Sequence, residues 1–149
     1  MRAVIQRVTN SKVCVKNQMI AQIGKGLMIL LGVEVGDDKN DALYLARKIA
    51  KMRIFSDNEG KLNLSVLDIQ GEILAVSQFT LCANAHNGNR PSFTRAMKYE
   101  DGKILYELFV EFLRNEGVKV SCGVYGADMQ VMIENDGPVT ILLDSKKTF

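Results

Sequence analysis

The stretch Gly24-Lys25-Gly26-Leu27-Met28-Ile29-Leu30-Leu31-Gly32-Val33 decides how this chain folds. From Leu27 to Val33 it is apolar without alternation, the pattern of a strand covered on both faces. Gly24-Lys25-Gly26 is a punctuation mark, and Met19 to Ile23 before it also reads as a strand. A glycine pair that leads from strand to strand cannot seat a phosphate at a helix N-terminus, so no nucleotide-binding loop is read here.

Outward from this strand the pattern stays β-rich. Ala3 to Val8 is apolar, Val13 and Val15 continue it, and Asn17-Gln18 predicts a turn before Met19. On the other side, Gly36-Asp37-Asp38 ends the strand and offers a helix N-cap. From Asp41 to Met52, Ala42, Leu45, Ala46 and Ile49 recur at helical spacing opposite Lys48 and Lys51. Short strands are expected at Arg53 to Phe55 and Leu62 to Val66 around the turn Asp57 to Gly60, and a strongly apolar one from Glu72 to Val76. Between Ser77 and Thr94 the periodicity stops in a loop rich in Asn, Gly and Ser. A second helix runs from about Asp101 to Glu116, with Leu105, Leu108, Phe109 and Phe112 on one face and Gly117 as its stop. Val118 to Ser121, Ala127 to Ile133 and Val139 to Leu143 complete the strands. Two helices among eight or nine strands predict an α/β fold, a mixed sheet with the helices on one side. The chain reads as one domain over residues 1–149, with 145–149 as a loose tail.

Composition narrows the function classes. The 149 residues carry 19 basic and 17 acidic side chains, a formal charge of +2, which argues against holding long nucleic acid by bulk electrostatics. A chain of this size buries roughly 68–70% of its unfolded surface and needs no covalent or metal staple. Cys14, Cys82 and Cys122 are an odd set without C-x-x-C spacing, so neither a zinc site nor a disulfide framework is expected. Met1 to Arg7 has no signal-peptide pattern, and Leu27 to Leu31 is far below the ~20 apolar residues that span a bilayer. A soluble, cytoplasmic protein is the expectation. His86, the sole histidine, lies in a polar stretch and reads as a surface loop residue, so no Ser–His–Asp set is available.

Three irregular polar segments between apolar strands are the candidate sites. They are Ser77-Gln78-Phe79-Thr80-Leu81, Asn87-Gly88-Asn89-Arg90-Pro91-Ser92-Phe93, and Asn135-Asp136-Gly137-Pro138-Val139-Thr140. Each has a plain structural reading: a strand end, a turn, and a hairpin connection in which glycine permits positive φ. An X–Pro bond also adopts the cis form far more readily than others, which swings consecutive carbonyls to one side.

Together, at this spacing, the three segments resemble the D-aminoacyl-tRNA deacylase family, also called D-tyrosyl-tRNA deacylase. The resemblance runs nearly end to end, through Ile5-Gln6-Arg7-Val8, Arg53-Ile54-Phe55-Ser56-Asp57, Gly60-Lys61, Asn63, Ser77-Gln78-Phe79-Thr80, Arg90-Pro91-Ser92-Phe93, Gly126-Ala127-Asp128-Met129 and Asn135 to Thr140. Tyr125 stands where that family often has Phe, and the Ser-Lys-Lys-Thr-Phe tail is the chain's own. The resemblance implies a layered, barrel-like mixed and antiparallel sheet with two main helices packed on one side. It implies hydrolysis of the ester joining a D-amino acid to the 3′-terminal adenosine of tRNA, with no cofactor and no metal. It implies a homodimer in which Gly137-Pro138 reaches the neighbouring subunit's site and rejects L-amino acids.

Carried over residue by residue, the catalytic segment is Ser77, Gln78, Phe79 and Thr80. Its main-chain amides would hold the acyl carbonyl while the substrate's 2′-hydroxyl assists. Arg7 would brace the Gly137-Pro138 loop, Asn135 would belong with them to substrate binding and chiral selection, Met129 would line the adenosine pocket, and Arg90, Pro91 and Phe93 would border the site. Glycyl-tRNA is an expected secondary substrate, because glycine has no side chain to reject. Two alternatives belong to other classes: a non-catalytic tRNA-binding module, and an esterase using Thr80 or Ser77 as nucleophile.

Overall fold

The computed structural model describes residues 1–86 and 88–149, so Asn87 of the second polar segment lies outside the described residues. The strands are β1 (Arg2–Val15), β2 (Gln18–Ile23), β3 (Gly26–Gly32), β4 (Phe55–Ser56), β5 (Leu62–Leu64), β6 (Glu72–Ser77), β7 (Lys119–Cys122) and β8 (Gln130–Asp144). The helices are α1 (Lys39–Ala50), α2 (Tyr99–Asn115) and a 3-10 turn, Phe79–Cys82. The main sheet runs β2-β1-β3-β6-β7, with β8 also on β1. β1 pairs with β8 along its length and gives its other edge first to β3 and then to β2. β3, β6 and β7 are parallel neighbours, and α1 and α2 lie in the two crossovers.

The unalternating run in β3 is explained by its two covered faces. Leu27, Ile29 and Leu31 pack with Ile73 and Ala75 of β6 against the helices, where Leu45, Ile49 and Phe109 are fully buried. Met28 turns the other way, with Leu74 and Val76, and meets Val8, Val13 and Ile23. The far half of β1, with β2 and the start of β8, therefore curls over the sheet and nearly closes it as a barrel.

Local chemistry sets the element ends. Asp38 caps α1: its Oδ1 accepts from the amides of Asn40 (2.7 Å) and Asp41 (3.3 Å), while Asp41 Oδ2 accepts from the Asp38 amide (2.9 Å). The β1–β2 turn is Lys16-Asn17, both at positive φ (47° and 64°), one residue earlier than the expected Asn17-Gln18. A two-residue turn with both centres left-handed matches the twist of a hairpin, and it frees Gln18 to pair with Val15. Val66 leaves the expected strand because Asp68 Oδ2 accepts from both the amide and hydroxyl of Ser65 (2.7 Å each), folding the chain into a turn. The buried face of α2 is Tyr106, Phe109, Val110 and Leu113, rotated from the expected stripe. Tyr106 joins it because its hydroxyl finds the Ala75 carbonyl at 2.9 Å. At the start of the last five residues, the Ser145 amide donates to the Met1 carbonyl (2.9 Å), and Lys146 pairs with Asp41 (2.6 Å).

β8 corrects the hairpin reading of Asn135 to Pro138. Both of its halves pair with β1, and between Gln6↔Thr140 and Val8↔Asn135 four residues, Asp136 to Val139, stand opposite Arg7 alone. The segment is a loop extruded from within one strand.

Candidate active site

A cavity of about 580 Å³ opens where the parallel strands β3 and β6 end. Leu31 and Val33 form one wall, and Val76 and Ser77 another. The segment Gln78–Thr80 crosses the end. Ala96, Met97, Tyr99 and the loop Tyr125–Met129 close the remaining side. Carboxyl ends of parallel strands are where such sheets place ligands, since the chain there departs to connect elsewhere.

The departure itself builds the segment Gln78–Thr80. The Gln78 amide donates to the Leu31 carbonyl at 2.8 Å, which is the sheet's last bond on this edge. That amide is therefore spent on the fold. Phe79 and Thr80 open the 3-10 turn, where amides lack an intrahelical acceptor, and among the described residues neither finds another. The Gln78 side chain Nε2 donates to Thr80 Oγ1 (2.5 Å). Cys82 anchors the turn's buried end, its Sγ 3.5 Å from the Val33 carbonyl. The close approach needs Gly32: a Cβ there would lie 3.0 Å from Cys82 Sγ, the Gln78 carbonyl and Leu81 Cβ.

Charged groups brace this arrangement from behind. Arg2 Nη1 donates to the Leu81 carbonyl (3.2 Å) and its Nη2 lies 3.5 Å from the largely buried Glu34, which also pairs with Arg95 (3.0 Å). Burial, followed by the Glu34 carboxylate, pushes the Cys82 thiol up to about 11.

The other expected residues are distributed over three places. Met129 lines the cavity, its sulfur lying over Gly123, where a Cβ would come within 2.6 Å. Phe93 reaches the site through Phe79, the two exposed rings meeting edge to face at 5.2 Å. Arg90 and Pro91 are exposed beyond the Asn84–Ser92 bridge and do not line the cavity. Arg7, Asn135, Gly137 and Pro138 form a separate cluster. Asn135 Nδ2 donates to the carbonyls of Arg7 and Val139, both at 3.0 Å, closing the base of the extruded loop. Arg7 donates to the Ile54 carbonyl (2.8 Å) and its Nε lies 3.0 Å from Asp136 Oδ2. Gly137, at φ 118°, packs so closely that a Cβ would sit 2.9 Å from Arg7 Nη2. The Gly137–Pro138 peptide is cis, and both residues are exposed. Arg7 pairs with Leu27, four residues before Leu31, about 13 Å along β3 from the cavity wall. Gly137 and Pro138 do not line the cavity of their own chain.

Tyr99, Ala96 and Met97 were not candidates from sequence. Tyr99 stacks edge to face on Tyr125 (5.2 Å), and Gly126 lies so close that a Cβ would come 2.4 Å from the Tyr99 ring. The one available signal was Gly126 itself, inside the Gly126 to Met129 motif, with positive φ (75°).

Comparison with known proteins agrees with this geometry. A sequence model of the family described as D-Tyr-tRNA(Tyr) deacylase matches residues 4–144. A D-aminoacyl-tRNA deacylase of Clostridium botulinum is 56% identical over 149 residues, and one of Thermosipho melanesiensis is 55% identical over 150, each match covering all of both chains. A solved structure named c-Myc DNA Unwinding Element Binding Protein superposes with TM-score 0.91 at 44% identity, covering 97% of this chain and 98% of that one. A probable eukaryotic D-amino acid tRNA deacylase shares the fold alone, with TM-score 0.81 at 18% identity over 95% and 97% of the two chains. Motifs, fold and full-length identity thus converge, and the chain belongs to the D-Tyr-tRNA deacylase family of hydrolases.

Proposed function

We propose that the chain hydrolyses the ester between a D-amino acid and the 3′-terminal adenosine of tRNA, in the cytoplasm and as a homodimer. One observation carries the reading: two adjacent main-chain donors, the Phe79 and Thr80 amides, stand without acceptors among the described residues at the wall of a 580 Å³ cavity. Water adds to the acyl carbon, the carbonyl oxygen becomes an oxyanion, and the ester bond breaks to return the 3′-hydroxyl with a proton. Preorganised amides at the oxyanion supply the largest stabilisation in such reactions.

Thr80 positions rather than attacks. Its oxygen already accepts from the Gln78 side-chain amide, and an amide cannot take a proton from it. The substrate's 2′-hydroxyl assists the water, and an aminoacyl ester is labile enough for positioning to suffice. Met129 and the Phe79–Phe93 pair offer apolar surface to the adenosine. The exposed Gly137-Pro138 loop, held by Arg7 and Asn135, enters the cavity of a second copy. There, main-chain atoms read the configuration at Cα and ignore the side chain. That logic admits many D-amino acids, and glycine as well.

The test is hydrolysis of matched D- and L-aminoacyl-tRNA. D-esters are expected to be cleaved at least about a hundredfold faster; equal rates overturn chiral selection. The alternative of a non-catalytic tRNA-binding module requires charged tRNA to be bound and left intact in the same assay; the name of the 44%-identical structure speaks only of binding a DNA element.

A further inference from the structure

A second concavity, of about 650 Å³, runs along the outer face of α1. Leu43, Tyr44 and Met52 form its floor, and Arg47, Lys48, Lys51 and Arg53 its rim. Arg53 is partly spent, donating to the Asn63 carbonyl (2.8 Å) and facing Asp57 and Asp68, whose carboxyls it helps to lower. Arg47 and Lys51 share a single acid between them. Glu116 binds Arg47 and Lys51 through its two oxygens (3.4 and 3.2 Å), yet those side chains stay 60% and 67% exposed while that of Glu116 is 18% exposed. One acid is thus shared by two cationic side chains that stay mostly in solvent, so charge remains on this face. Lys48 has no ion pair among the described residues, and Lys147 adds its ammonium 5.8 Å from the Tyr44 ring. Three cations against one carboxylate carry as much net charge as the whole chain, +2.

We propose that this groove receives backbone phosphates of the tRNA stem; the inference rests on the reading of the cavity given under Proposed function. Topology supplies the continuity. α1 starts six residues after Val33, a wall of the cavity, and runs back along the sheet. From Asn40 to Ala50 the helix carries this face about 15 Å away from the cavity's end of the strands. A substrate whose reacting end occupies the cavity carries a polyanionic stem outward, and the groove matches that charge. Ammonium and guanidinium groups on a helix face read charge and spacing, so the groove positions every tRNA alike and selects none.

The experiment compares D-tyrosyl-tRNA with 3′-O-D-tyrosyl-adenosine, which has no stem. The variants are the triple Arg47→Gln, Lys48→Gln, Lys51→Gln and the single Lys48→Glu, the latter altering a side chain without an internal pair among the described residues. For the triple variant we expect KM for the tRNA to rise about tenfold or more, with kcat kept. The slope of log KM against log salt concentration should fall by about 2, at roughly 0.7–0.9 for each phosphate no longer neutralised. Lys48→Glu should shift KM in the same direction by a smaller factor, even where the triple variant fails to fold. Turnover of the adenosine ester should match wild type. Unchanged KM and salt slope for the tRNA overturn the groove alone, as does a parallel loss on both substrates. A wild-type protein that cleaves neither substrate overturns the deacylase reading, and the groove with it.

Discussion

Thr80 and Cys82 lie two positions apart on one short turn and have opposite environments, one exposed and one sealed. On the proposed mechanism, Thr80→Ala removes an oxygen that orients but does not attack. Its expected effect is about a tenfold loss in kcat, the size of one net hydrogen bond of about 1–1.5 kcal/mol. Quenched-flow mass spectrometry of wild type should reveal no acyl-enzyme; an acyl group trapped on Thr80, with activity abolished in the Ala variant, contradicts this. Cys82 is 0% exposed with its thiol near 11, so about 0.1% or less is thiolate at pH 8. Iodoacetamide on the native protein should therefore modify Cys14 and Cys122, both partly exposed, and spare Cys82 until denaturant is added. Peptide mapping reads the result directly. Both residues were visible in the sequence, but their contrast was not, because a residue's burial is decided by what Gly32 and Val33 bring against it.

At the scale of elements, two devices set the geometry. β3 and β6 touch at Gly26, where a Cβ would lie 1.9 Å from the Glu72 carbonyl oxygen. Gly26→Ala must push the parallel pair apart, costing about 3 kcal/mol, which is on the order of a 6–12 °C fall in Tm for a chain of this size. Gly24→Ala, with its nearest neighbour 4.0 Å away, is the control and should melt near wild type. The second device is the extruded loop of β8. Asn135→Ala leaves the Arg7 and Val139 carbonyls without their shared donor, a cost of about 1–2 kcal/mol at this partly buried site. Hydrogen exchange should accelerate across 135–140 while the rest of β8 stays protected; unchanged exchange there would show that Asn135 does not hold the loop. The motif Asn135 to Thr140 was legible in sequence, yet its periodicity suggested two strands and a turn. Register along β1 is a long-range property that no local pattern encodes.

For the molecule as a whole, pH tests the charge arrangement. Burial raises the Asp41 and Asp144 carboxyls, but hydrogen bonds, from Lys146 to Asp41 and from Thr148 to Asp144, outweigh it and hold both low. Hydrogen bonds likewise lower Asp57, Asp68 and Glu72. Groups depressed in the folded state stabilise it above their unfolded values, about 3.9 for Asp and 4.3 for Glu, and lose that contribution as pH falls through the folded values. The Asp41 hydrogen bond raises Lys146, and burial raises Cys82; their contributions are complete below the unfolded values and fade as pH climbs through the folded ones. Tm should thus be level from about pH 5 to 8, fall below about pH 4 and decline above about pH 9. Thermal melts across that range check it, and a Tm maximum below about pH 4 contradicts it.

The sequence by itself determined what is local or compositional: the doubly covered strand at Leu27 to Val33, the Asp38 cap of α1, the Gly117 stop of α2, and motifs specific enough to indicate the family. These follow from side-chain pattern over a few residues, where propensity and periodicity act. Only the tertiary structure decided that the Gln78 amide is consumed by the sheet, leaving Phe79 and Thr80 as donors. The same is true of Tyr99 at the cavity wall, and of the Gly137-Pro138 loop standing apart from the cavity of its own chain. Charge divides in the same way. A net +2 over 149 residues argued against holding long nucleic acid by bulk charge, and helical spacing already set Lys48 and Lys51 on one face; only folding brings Glu116, at the end of α2, against Arg47 and Lys51 of α1.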